Sequence, residues 1–172
     1  MRFSYFENVY FFTATILNWQ NLLSDDRMKT IIVQSLKYMS SERCRFLGFV
    51  IMPNHIHILL EFKNDSKENF QRDFLKYSAQ RFIQIMRNED PSRLKSYQST
   101  QKDRKYQIWE RRPLWVKIDF EEKFNVKLNY IHHNPISGKW KLSDSTEAYK
   151  WSSAAFHAGL ENEFEWLEML DH

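Results

Sequence analysis

Two histidines two residues apart, His55 and His57, stand inside the apolar, β-branched run Met52-Pro53-Asn54-His55-Ile56-His57-Ile58-Leu59-Leu60. On a strand, residues i and i+2 share a face. The two imidazoles therefore project side by side while Ile56 and Ile58 enter the core behind them. Such a pair suits chelation of a divalent metal, and the reading predicts histidines presented to solvent rather than buried. Two ligands do not complete a metal site, so the plainer alternative is a pair of polar residues on the open face of a sheet.

A second constellation is Asn129-Tyr130-Ile131-His132-His133-Asn134-Pro135. Pro135 disfavours helix at the residue before it, which places this stretch at a helix end. Tyr130 and Asn134 are four apart and hence neighbours on one helical face. A phenol that could act as a nucleophile and an amide oxygen that could act as a third metal ligand then come from one rigid element. The alternative is a half-buried tyrosine, an asparagine satisfying the helix terminus, and His132 or His133 bonding to the last carbonyls. A neutral phenol is a weak nucleophile, so proximity and a cation must help it. No dedicated general base is evident, and of the two adjacent histidines His133 is expected nearer the Tyr130 face.

The elements that must position these groups follow from patterning. Val9–Ile16 is rich in aromatic and β-branched residues and reads as a strand. Ser24-Asp25-Asp26 offers N-cap residues for a helix running to about Tyr38, with Met28, Ile31, Ile32 and Leu36 near helical spacing. Residues 45–51 and 55–62 read as two strands joined at Met52-Pro53-Asn54, a hairpin with the histidines at the start of its second arm. Residues 68–87 carry Phe70, Phe74, Tyr77, Phe82, Ile85 and Met86 at helical recurrence. Residues 88–107 are polar and weakly patterned and read as a flexible loop or insertion. Residues 113–118 form a short strand, and Asp119 is a candidate cap for a third helix from Phe120 to about Asn134. The resulting order predicts an α+β fold of ferredoxin-like type (βαββαβ). Its antiparallel sheet has helices on one face, and an additional C-terminal helix carries the tyrosine.

Composition sets the bounds. The chain has 172 residues, 42% hydrophobic and 16% aromatic, with only 3 Gly and 4 Pro, enough for one domain with a substantial core. The single domain is expected over 1–172, its core at about 5–155 and an acidic extension at about 156–172. The lone Cys44 excludes an internal disulfide and a cysteine-rich zinc site and fits a reducing cytoplasm. No apolar run reaches the roughly 18 residues of a bilayer span, and Met1–Glu7 lacks a signal-peptide core; neither membrane nor export is expected. A net charge of +3 is modest, but its distribution is uneven. Lys102, Arg104, Lys105, Arg111, Arg112 and Lys117 make a basic middle, whereas Glu161, Glu163, Glu165, Glu168 and Asp171 make an acidic end.

Taken together, Met52-Pro53-Asn54-His55-Ile56-His57, Trp109-Glu110-Arg111, Tyr130-Ile131-His132-His133-Asn134-Pro135 and Trp151-Ser152-Ser153 resemble the REP-associated tyrosine transposases. These belong to the single-tyrosine HUH transposases, in which U is a hydrophobic residue. The resemblance spans roughly residues 5–155. It implies that His55 and His57 bind Mg²⁺ or Mn²⁺, that Asn134 is a further ligand, and that Tyr130 attacks single-stranded DNA to give a 5′-phosphotyrosyl intermediate and a free 3′-hydroxyl. It also implies a cytoplasmic enzyme, nucleoid-associated when bound to single-stranded or hairpin DNA, acting as a monomer or homodimer.

Arg72, Lys76 and Arg81, with Lys102, Arg104, Lys105, Arg111 and Arg112, are candidates for backbone phosphates, and Trp109 or Trp115 for stacking an unpaired base. The chain departs from many relatives at Arg112-Pro113-Leu114-Trp115 and Ile136-Ser137-Gly138, where they carry a Gly-Phe-Tyr-like step and a Val after Asn-Pro. Two other readings compete: a non-catalytic nucleic-acid binder on an RRM-type sheet, and a domesticated transposase serving its host.

Overall fold

The computed structural model describes residues 6–171. Residues 1–5 and His172 lie outside it, and with them part of the N-terminal stretch and the last residue of the acidic extension. The elements are β1 (Val9–Thr15), α1 (Asp26–Ser40), β2 (Cys44–Ile51), β3 (His55–Phe62), α2 (Lys67–Glu89), β4 (Leu114–Lys117), α3 (Glu121–His133) and a single turn, α4 (Ala154–His157).

The strands form one sheet in the order β2-β3-β1-β4 with every neighbouring pair antiparallel. This is the expected ferredoxin-like arrangement. Alternation along β1 and β3 sorts their side chains between two cores. Phe12, Ile56, Ile58 and Leu60 meet Met28, Ile32 and Leu36 of α1 and Phe70, Phe74 and Phe82 of α2. Val9, Phe11 and Leu59 meet Phe124 and Ile131 of α3 on the opposite face. Each such apolar side chain, fully buried, contributes roughly 1.5–3 kcal/mol.

Local chemistry sets the helix starts. The Asp25 carboxylate accepts the Arg27 N–H at α1, and the Ser66 hydroxyl accepts the Asn69 N–H at α2. Asp119 does not cap α3. The cap position falls on Phe120, without a side-chain bond, and Asp119 instead pairs with Lys123 at 3.0 Å. A register irregularity between Phe46 and Gly48 lies where α3 approaches the sheet most closely. A Cβ at Gly48 would stand 2.8 Å from the Leu128 methyl, so the glycine gives α3 its room.

Residues 88–107 are not the loose insertion their polarity suggests. α2 continues to Glu89, and a 3-10 segment, Pro91–Tyr97, buries Leu94 and Tyr97 in the core. The Gln107 N–H donates to the Tyr97 carbonyl at 2.8 Å, closing the excursion. Two anchors sufficed, too few to register as a periodic pattern.

The C-terminal residues cover the free edge of β2. Trp151 and Ser153 exchange backbone bonds with Ile51 and Phe49, and Glu168 donates its N–H to Phe46. Phe164 and Leu167 are buried. Arg45 pairs with Glu61, Glu168 and Asp171 at 2.7–2.9 Å. The acidic extension is thus docked, with Glu168 and Asp171 held by Arg45. Among the described residues, no helix is long and apolar enough to cross a membrane.

Candidate active site

β3 carries His55 and His57 on the face turned away from α1 and α2. Their neighbours across the ladder are Thr15 and Thr13 of β1. α3 crosses this same face and brings Tyr130, while Asn134, its C-cap, follows immediately. A cleft of about 390 Å³ results, lined by both histidines, Tyr130, Asn134, Thr13, Lys127 and the indoles of Trp19 and Trp140. The four residues singled out for chemistry converge in one cleft.

One expectation fails here. The histidines are not presented to solvent: His55 is 7% and His57 5% exposed. Period-2 alternation identifies a shared face but not what covers it, and α3 with its following turn covers this one. The His57 ring stacks on Phe11 at 5.1 Å and lies 5.2 Å from the Tyr130 ring and 4.8 Å from His55.

Each imidazole is held from behind by its Nδ1. His55 Nδ1 bonds the Asn54 amide oxygen at 2.8 Å, and His57 Nδ1 bonds the Thr13 hydroxyl at 2.7 Å. Asn54 Oδ1 only accepts, so His55 carries its proton on Nδ1 and leaves Nε2 as a lone pair. Burial pushes the His55 pKa down to about 4. Burial, then the charges of His55 and Lys127, holds His57 well below the usual imidazole range. Both rings are therefore neutral near pH 7. Among the described residues, His57 Nε2 is the one fully buried side-chain nitrogen or oxygen without a hydrogen-bond partner, a defect that ordinarily costs 1–3 kcal/mol. A neutral imidazole, oriented through one nitrogen and unsatisfied at the other, is what a metal ligand requires. Asn134 is 9% exposed, and its side chain makes no hydrogen bond among the described residues. No cluster of three His, Cys, Asp or Glu occurs among those residues.

Tyr130 is 51% exposed, its ring edge against Phe11 at 6.3 Å. Lys127, one turn earlier on α3, sits over the Phe11 ring at 4.7 Å and the Tyr130 ring at 5.8 Å. No carboxylate pairs with it among the described residues. Neither adjacent histidine lines the cleft. His133 bonds the Asn129 carbonyl of its own helix at 2.9 Å, because i to i+4 spacing offers it that acceptor, contrary to its expected place beside Tyr130. His132 points to the other side and bonds the Ser153 hydroxyl at 2.9 Å. The Trp151-Ser152-Ser153 motif is thereby explained: it ties α3 to the edge of β2.

Of the tryptophans expected to stack bases, Trp109 is in the core and Trp115 is half-buried against it. Trp109 is 6% exposed and donates to the Ser78 hydroxyl at 3.0 Å. Trp115 donates to Gln71 at 2.8 Å and packs on Phe12. Both face α2, the wrong side of the sheet for the cleft. Phe11, Thr13, Thr15, Trp19, Leu114, Lys127 and Trp140 also line the cleft and were not singled out from the sequence. Thr13 was findable, since β1 places it opposite His57 once the strand order is known.

The basic candidates fall into three groups. Arg72, Lys76 and Arg81 lie on α2, across the sheet from the cleft. Arg72 is engaged with Asp73 at 2.8 Å and Arg81 with Gln84 at 3.2 Å. Lys102, Arg104 and Lys105 occupy the turn after the 3-10 segment, with Arg104 paired to Asp103 at 2.9 Å. Arg111 and Arg112 connect Glu110, bonded to the end of β1, to Leu114, which lines the cleft. Of the basic residues predicted from the sequence, these two lie closest along the chain to a cleft residue.

No family model matches the chain, and no curated protein matches it. Among solved structures, a REP-associated tyrosine transposase bound to a REP hairpin superposes with a TM-score of 0.62 at 17% identity, covering 100% of this chain and 92% of that one. A crystal structure described as a "putative transposase" from Deinococcus radiodurans R1 matches with a TM-score of 0.48 at 16% identity, over 73% of this chain and 88% of its own. The likeness is one of fold. The overall α+β architecture of this chain is that of the first of these transposases.

Proposed function

We propose that this chain is a metal-dependent nuclease and strand transferase for single-stranded DNA, with Tyr130 as its nucleophile. The observation that carries the reading is the orphaned Nε2 of a neutral, buried His57 beside the accessible Tyr130 ring. Its fold is shared with a transposase whose structure holds a REP hairpin, which supports DNA as the partner.

His55 and His57 would hold Mg²⁺ or Mn²⁺ through their Nε2 atoms, with Asn134 supplying an amide oxygen. The bound ion would supply Lewis-acid polarisation of a non-bridging phosphate oxygen. Tyr130 forms a bond from its phenolic oxygen to phosphorus as the bond from phosphorus to O3′ breaks. The electron pair leaves on O3′, which takes up a proton to become a free 3′-hydroxyl, and the phenolic proton passes to solvent. The 5′-phosphate stays on Tyr130. Attack by another 3′-hydroxyl reverses the step and rejoins strands without an external energy source. Lys127, which no carboxylate pairs with among the described residues, lines the cleft beside the Tyr130 ring and favours the negative charge of an incoming phosphate.

The RRM-type alternative needs an open sheet face with aromatics to stack bases. α3 covers that face here, and histidines occupy the central-strand positions. Whether such an enzyme serves a mobile element or its host is a question of genomic context. The test is a covalent adduct. A labelled single-stranded or hairpin oligonucleotide with Mn²⁺ should yield a protein-bound band on a denaturing gel, absent with chelator and with Tyr130→Phe. An adduct that persists in Y130F would remove Tyr130 from the role.

A further inference from the structure

The segment between β1 and α1 enters the cleft in a backbone conformation that its residue types do not favour. Asn18 and Trp19 both have φ of 55°, in the left-handed region. Asparagine tolerates that region, but for a bulky side chain such as Trp it is an outlier. Trp19 is also 62% exposed, so the strain is not repaid by burying the indole.

The loop is nevertheless held from four directions. Ile16 donates to the Asn54 carbonyl at 2.9 Å and Leu17 to the Ile108 carbonyl at 2.7 Å. The Asn18 N–H donates to the Glu110 carboxylate at 2.7 Å. The Asn54 side-chain amide donates to the Trp19 carbonyl at 3.3 Å, while its oxygen orients His55. One asparagine therefore registers Trp19 against the histidine pair, and the indole ends 6.0 Å from the His55 ring at the mouth of the cleft. Strain of this kind persists where the surrounding structure over-determines it, and an exposed indole on an anchored backbone at the mouth of the proposed phosphate site suits an unpaired base.

We infer that Trp19 is a stacking platform for an unpaired nucleobase of the single strand, holding the nucleotide next to the phosphate that Tyr130 attacks. The inference rests on the function proposed above and adds a base-binding subsite to it. A flat indole accepts any base through its π-face, so Trp19 supplies affinity and placement rather than base identity.

The test uses Trp19→Asn in the full chain. Asparagine accepts positive φ, so this variant removes the ring and relieves the strain together. Binding is measured with a single-stranded oligothymidylate carrying one 2-aminopurine, with Tyr130→Phe as the cleavage-dead background. The platform predicts a Kd raised roughly 5- to 150-fold, the span expected for one lost stack, and loss of 2-aminopurine quenching, while the melting temperature is unchanged or higher. Trp19→Phe should recover part of the affinity. Equal Kd and quenching in W19N and its parent would overturn the inference and leave the Tyr130 reading standing. A lowered melting temperature with unchanged affinity would reassign Trp19 to the fold. Absence of binding by the parent would sink both.

Discussion

Thr13 and His57 show how much of this site depends on single atoms. The Thr13 hydroxyl fixes one imidazole nitrogen so that the other faces the cleft with nothing to bond. Thr13→Val keeps the shape and deletes that contact. Loss of such an orienting partner commonly weakens metal binding 10- to 100-fold, and titration calorimetry with Mn²⁺ should show a loss of that order, with a lowered melting temperature because the buried His57 Nδ1 is left unpaired. Unchanged affinity would mean that Thr13 does not orient a ligand. Of the residues involved, His55, His57, Tyr130 and Asn134 were legible in the sequence because two local periodicities, two for a strand and four for a helix, place them in pairs. Thr13, Trp19 and Trp140 were not, because they reach the cleft through strand order and loop path, which are long-range; Lys127, three residues before Tyr130 on α3, follows the same helical spacing and was overlooked.

At the scale of elements, the chain's polar-looking segments turn out to be structural. Residues 88–107 read as a loose insertion, yet Leu94 and Tyr97 anchor them in the core. The acidic C-terminal stretch behaves the same way: Phe164 packs edge-on against Phe49 at 4.9 Å and is 4% exposed. Phe164→Ala should therefore destabilise the protein by about 3–5 kcal/mol, measured by urea denaturation, without tightening DNA binding. Tighter DNA binding at unchanged stability would instead identify the tail as a mask over the DNA surface. Strands and long helices were readable because each repeats one pattern many times. Short anchors offer one or two apolar residues among charges, and only the assembled fold shows them buried. The same limit explains why the histidine pair was placed on the correct face but expected in solvent.

For the molecule as a whole, the two faces of the sheet have separate tasks. One packs against α1 and α2 as a conventional core; the other carries α3 and the cleft, braced by α4 and the β2 edge. His157 of α4 donates its ring N–H to the Leu47 carbonyl at 2.7 Å, with the His132 and Phe156 rings each 5.2 Å away. Burial lowers its pKa despite the carbonyl bond. The unfolded chain therefore takes up this proton first, so stability is full above about pH 6.5 and declines as pH falls below it. The limiting slope for one histidine is about 1.4 kcal/mol per pH unit. His157→Gln keeps a donor for Leu47 and should flatten the dependence of melting temperature on pH between about 7.5 and 5. Equal slopes in the two proteins would exclude His157 as a source.

In the proposed enzyme, three side chains from β3 and the end of α3 hold one ion beside Tyr130. Crystals grown with Mn²⁺ and measured at its absorption edge test this directly. A single anomalous peak is expected in the cleft, bonded by His55 Nε2, His57 Nε2 and the Asn134 amide oxygen, at about 2.0–2.3 Å. A peak elsewhere, or none at saturating Mn²⁺, would contradict it.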